Sequence, residues 1–139
     1  MLSEELCQRV AKEYRYAATK MRESAEIHRK LYYCSAFYGE AQRVLNFQWD
    51  TDLAQVYMAT HYVYSNIRSI MQNPASAIPF DAEHIFSALI DTASGIADYF
   101  EDGCKDSTKL HDLIGMLAKI GYVTTGNGGY LYERGEITL

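Results

Sequence analysis

The chain has 139 residues, of which 48% are hydrophobic and 22% charged, with a formal net charge of −5. That length and apolar content support one domain with its own core and exclude wholesale disorder. Residues 1–30 carry seven basic against five acidic side chains and the rest six against thirteen, a basic excess too small and too interleaved with Glu for a phosphate-tracking surface, so no nucleic-acid partner is expected.

Ser3 is placed to cap a first helix, with Glu4 and Glu5 in the first turn, where the helix dipole favours them. Leu6, Val10, Tyr14, Ala17, Met21, Ala25 and His28 then recur at three- and four-residue steps, a narrow seam suited to an arm that packs on its own bundle or on a second chain. A bend is expected near residues 28–31. The next run, Leu31 to Phe47, is aromatic and apolar around more than one side and reads as the central helix. Gly39 lies inside it, and the expected compensation for its helix cost is close approach of a neighbouring helix.

Asp50 and Thr51 open a third helix with Leu53, Val56, Thr60, Val63, Ile67 and Ile70 on one side, ending near Asn73. Residues 73–80 read as a loop because Pro74 and Pro79 disfavour helix before them. Asp81 caps a fourth helix that Gly103 ends, and Asp106 or Ser107 opens a fifth that Gly121 ends. Tyr122 to Thr125 and Tyr130 to Glu133 flank the sequence GNGG, which predicts a β-hairpin. The expected fold is therefore an all-α antiparallel bundle of four to five helices with a C-terminal β-hairpin. It divides into a long N-terminal helix (1–30), a bundle core (31–121) and a tail (122–139).

Cys7, Cys34 and Cys104 are odd in number and form no CxxC pair, which suits buried thiols in a reducing compartment. Glu4 and Glu5 follow Met1 too closely for a signal segment, and no apolar run is long enough to span a bilayer. A cytoplasmic location without membrane association is expected.

No Glu-x-x-His occurs, so the di-iron carboxylate pattern is missing; Asp81 and His84 come nearest, and Asp81 is better used as a cap. Two enzymatic alternatives have residues to stand on. Glu23 with Glu26, and Asp98 with Glu101, are acidic pairs three apart that resemble the magnesium-binding carboxylates of all-α nucleotide pyrophosphohydrolases. Arg22 and His28 form an Arg-x5-His that resembles the motif of HEPN-type ribonucleases, which implies a pair handling the scissile phosphate and its proton. On a straight helix, however, six residues at about 100° each leave the two on different faces. His28, His61, His84 and His111 fall on different helices. GNGG lies in no phosphate-cradling context, and no cofactor is expected.

Twelve tyrosines are many for this length. Tyrosine is enriched where surfaces meet other proteins, and Tyr14, Tyr33, Tyr62, Tyr122, Tyr130 and Tyr132 are the expected interaction surface. From Leu31 onward, the segments LYYCSAFYGEAQRVLNF, VYMATHYVYSNIRSIMQN, IFSALIDTASGIADYF and LHDLIGMLAKIGY resemble FliS-type flagellar export chaperones. That resemblance implies a small helical bundle that holds the helical end of another protein. The functional expectation is thus a non-catalytic, chaperone-like protein-binding bundle with an unidentified protein partner, self-associating as a homodimer.

Overall fold

The computed structural model describes residues 2–73 and 80–139, and among these it is helical throughout, without a strand. The helices are α1 (Glu4–Glu23), α2 (Ile27–Leu45), α3 (Thr51–Gln72), α4 (Ala82–Glu101), α5 (Ser107–Val123) and α6 (Gly126–Glu133). The proline-bounded loop expected at 73–80 falls mostly on residues 74–79, outside the described residues.

Each of the first five helices starts near the residue whose side chain can satisfy its unpaired N–H groups. Ser3, Asp50, Asp81 and Asp106 each accept a hydrogen bond from the N–H three residues on, and Glu26 accepts from His28 N at 3.1 Å. The helices form a ring: α1 packs between α2 and α4, α3 packs on α2 and α5, and α4 closes against α5. Ser3 N meets Gln48 and Cys7 meets Cys104 at one end, while Asn66 reaches the Gly121 carbonyl at the other. Hence α1, α3 and α5 run one way and α2 and α4 the other, so the α3–α5 neighbours are parallel. Phe37, Leu53, Ile67, Phe86, Ile96, Phe100, Leu110 and Leu117 fill the centre.

Three expectations are corrected. First, α1 packs on its own bundle, one of the two expected placements, with Val10, Tyr14, Ala17 and Met21 fully buried, but it is shorter than expected. It stops at Glu23, earlier than the expected bend: the Ser24 N–H and hydroxyl both turn back to the Lys20 carbonyl, and Lys30 Nζ takes the Met21 carbonyl at 2.5 Å. Ala25 and His28, assigned to the seam, are exposed. Secondly, the C-terminal β-hairpin is absent, and GNGG begins helix α6. The Thr124 and Thr125 hydroxyls donate to the Gly121 and Tyr122 carbonyls at 2.6 Å each, ending α5 by local side-chain bonding. Thr125 Oγ1 then accepts from Gly128 N at 3.1 Å and caps α6. The β-branched pair thus serves a helix–helix corner. Thirdly, among the described residues no neighbouring helix approaches Gly39: a Cβ built there would meet none of them within 4 Å.

Glycine is required at Gly128, since its absent Cβ leaves room for the Tyr122 carbonyl. Gly128→Ala is therefore expected to destabilise the protein by about 1–3 kcal/mol, the usual cost of forcing an atom into a packed site. Gly39→Ala should stabilise it by about 1 kcal/mol through helix propensity alone. Urea unfolding of the two variants beside the parent checks both signs.

Candidate interaction surface

Helix α2 has two distinct sides because its apolar residues recur at helical spacing. Leu31, Cys34, Phe37, Ala41 and Val44 face the core. Opposite them Tyr32, Ser35, Gly39 and Gln42, spaced three, four and three apart, form an outer ridge. Tyr32 is 66% exposed. Ser35 donates its hydroxyl to the Tyr32 carbonyl at 2.6 Å, which spends its polarity within the helix. At Gly39 the ridge drops to bare backbone.

Aromatic rings flank this low ridge on both sides. Towards α1, Tyr33 meets Tyr32 edge-on at 5.1 Å and Tyr16 at 6.4 Å. Lys20 lies 5.8 Å from the Tyr16 ring and Arg29 5.9 Å from the Tyr33 ring, within cation–π range. Towards α3, Tyr38 meets His61 at 5.0 Å, Tyr64 at 5.2 Å and Tyr57 at 6.4 Å. Burial, then the neighbouring Tyr64, pushes the Tyr38 phenol above its ordinary pKa.

The α1 edge continues into Glu40, only 2% exposed, between Arg9 Nε and Arg43 Nη2 at 2.6 Å each. The Arg9 contact is an ion pair whose geometry is too oblique for a hydrogen bond to Oε1. A buried carboxylate needs such partners, because an uncompensated one costs several kcal/mol. The two half-exposed guanidiniums leave this edge cationic.

The residues expected to form the interaction surface have separate fates. Tyr14 does not belong to it: it is fully buried and stacks on Phe37 at 5.1 Å and 4°. Tyr33 is half-buried within the α1–α2 aromatic edge. The Tyr62 ring lies over Gly121, where a Cβ would strike it. Tyr122 accepts from Asn127 at 2.6 Å, Tyr130 accepts from Arg134 at 3.1 Å, and Tyr132 packs edge-on to His84 at 6.3 Å. These last three belong to the α5–α6 corner, at some remove from the α2 ridge. Tyr16, Tyr32, Tyr38, Tyr57, His61 and Tyr64 were not singled out for the surface. A helical wheel of α2, with its core stripe at 34, 37, 41 and 44, puts Tyr32 and Gly39 outward and was the available signal.

The residues of the catalytic alternatives lie on several elements. Arg22 is exposed in the last turn of α1, and His28 is exposed in the first turn of α2 beyond the break at 24–26. Asp98 and Glu101 both receive Arg15 Nη2 at 2.7 Å near the α4 C-terminus. Glu23 pairs with Lys20 at 3.8 Å near the far end of α1, about two helical turns from Arg15, and Glu26 caps α2. The two carboxylate pairs therefore occupy different places. Among the described residues no group of three His, Cys, Asp or Glu side chains could hold a metal ion.

Tyr14 has a measurable consequence. Among the described residues its hydroxyl finds no partner in hydrogen-bonding geometry, although Thr60, which donates its own hydroxyl to Val56 O at 2.9 Å, lies beside it; burial pushes the phenol well above its ordinary pKa. A buried unmade hydrogen bond costs about 1–3 kcal/mol. Tyr14→Phe, which keeps the stack and removes that hydroxyl, should raise stability by about 1 kcal/mol or more in chemical denaturation. Compared with family models, curated proteins and solved structures, the chain matches none.

Proposed function

We propose that the protein is a non-catalytic, chaperone-like binding bundle whose occupant is an amphipathic helix of a partner protein lying along the outer ridge of α2. Gly39 carries this reading. An interior helical glycine costs about 1 kcal/mol relative to Ala, and among the described residues nothing lies within 4 Å of where its Cβ would be. A partner helix uses that space, because bare backbone lets a second helix approach closely. The tyrosines on both sides supply large contact area at low entropic cost.

Charge narrows the occupant. On the α1 edge Arg9 and Arg43 share the single carboxylate of Glu40, Lys20 pairs with Glu23, and Arg29 lies over Tyr33, which leaves a modest cationic excess that an incoming helix with acidic residues along one edge complements. Two copies meeting with antiparallel α2 helices would oppose their cationic edges, which disfavours that homodimer relative to a foreign helix. The FliS-type resemblance implies the same kind of occupant, the helical end of another protein.

A photo-crosslinking residue at position 35 should capture the partner in cells, and a peptide of its captured helix then serves as the binding probe. Gly39→Leu should weaken that peptide at least about tenfold, a loss of about 1.4 kcal/mol, without lowering the melting temperature. Unchanged affinity rejects the ridge as the site. A concentration-dependent dimer that Gly39→Leu abolishes would make a second copy the occupant and overturn the foreign-helix reading.

A further inference from the structure

At the end of the bundle away from α6, two cysteines 97 residues apart in sequence touch: Cys7 Sγ lies 3.0 Å from Cys104 Sγ. That is about 1 Å beyond a formed disulfide bond. Both sulfurs are held in place. Cys7 sits in the first turns of α1 with its thiol directed to the Leu2 carbonyl at 3.9 Å. Cys104 follows Gly103 in the α4–α5 turn, and both have positive φ, 62° and 84°. For a non-glycine residue that conformation is uncommon and needs support. Cys104 N donates to Tyr99 O at 3.1 Å, and the Tyr99 hydroxyl reaches the Cys104 carbonyl at 3.4 Å.

The two thiols differ in access. Cys7 is 3% exposed, whereas Cys104 is partly open and lines a cavity of about 380 Å³ with Leu2, Trp49, Asp50, Asp52 and Tyr99. We propose that Cys7 and Cys104 form a reversible intramolecular disulfide, with Cys104 the thiol that reacts first and hydrogen peroxide, a small neutral molecule, the oxidant. The carboxylates of Asp50 and Asp52 on the cavity wall oppose an anionic oxidant such as glutathione disulfide and leave a neutral one unhindered.

The chemistry balances in two steps. The Cys104 sulfur attacks one peroxide oxygen; the O–O bond breaks, and the departing hydroxide leaves as water with the thiol proton. Cys7 sulfur then attacks the Cys104 sulfenic sulfur, the S–O bond breaks, and the hydroxyl leaves as water with the Cys7 proton. Two thiols and one peroxide give one disulfide and two waters, two electrons passing from sulfur to oxygen. Burial, then Cys7, then the Asp50 carboxylate hold the Cys104 thiol up to about 12. The groups facing it are Cys7 from α1, Tyr99 from α4, Asp50 at the α3 N-cap and Asp52 from the first turn of α3. Thiolate is therefore scarce at neutral pH, and oxidation quickens as pH rises.

Hydrogen peroxide added to the reduced full chain should remove two of its three thiols and leave a proteolytic peptide joining Cys7 to Cys104. The melting temperature should rise by roughly 10 °C, because so long a loop is closed, and dithiothreitol should reverse it. The single tryptophan, Trp49, lines the same cavity, so its fluorescence should change in step with the bridge. Glutathione disulfide at equal concentration should react more slowly. Cys104→Ser should abolish thiol loss, whereas Cys7→Ala should stop at a Cys104 sulfenic acid trapped by dimedone. If either variant fails to fold, the peptide map of the parent decides alone. Thiol loss that yields only Cys104 sulfinic acid or intermolecular dimers overturns the proposal, and faster reaction with glutathione disulfide overturns the choice of oxidant.

Discussion

The stack of Tyr14 on Phe37 is the contact on which the rest of the bundle depends. Two large rings lie 5.1 Å apart and parallel within 4°, each fully buried, one from α1 and one from α2. The Tyr14 hydroxyl ends beside Thr60 of α3, so three helices converge on one pair of side chains. Because α1 also packs against α4 along most of its length, fixing α1 at Tyr14 sets where α4, and through it α5, must lie. The orphaned phenol shows that apolar area outweighed a hydrogen bond at this site, an outcome expected where an aromatic side chain buries some 150–250 Å².

Helix α2 carries the consequence to the surface. With Phe37 and its stripe turned inward, Tyr32, Ser35 and Gly39 have no choice but to face out. Tyr33 and Tyr38 then fall to either side, where α1 and α3 supply Tyr16, Tyr57, His61 and Tyr64 to meet them. The aromatic content of α2 thus serves two demands at once, a filled core within and a rigid flanked ridge without.

Ion pairs follow the same logic of placement. Arg15 joins Asp98 and Glu101 across α1 and α4, and Arg9 and Arg43 clamp Glu40 across α1 and α2. Exposed pairs of the first kind stabilise by only about 0–1 kcal/mol. The Glu40 clamp matters more, since without it a carboxylate would be buried unpaired between two helices. Of the charges that sequence spacing groups into a catalytic cluster, Asp98 and Glu101 sit in the α1–α4 seam, Glu23 pairs within α1 and Glu26 caps α2.

Read by itself, the sequence determined the helix starts at Ser3, Asp50, Asp81 and Asp106 and the core stripes of α1 and α3, because caps and three-to-four periodicity are local properties of the backbone. It also placed the α4 stop at Gly103, where the chain needs positive φ. Tertiary structure decided what local rules could not reach. Thr124, Thr125 and the glycines after them have strand-like and turn-like propensities, yet a carbonyl pressed against Gly128 and hydroxyls returned to α5 make them a helical corner. Tyr14 and Tyr32 are the same residue type, and only the direction each faces separates a core ring from a surface one. Cys7 and Cys104 have nothing in common along the chain. The antiparallel course of α1 and α4 alone brings their sulfurs together, since contact across 97 residues is a property of packing and leaves no periodicity to read.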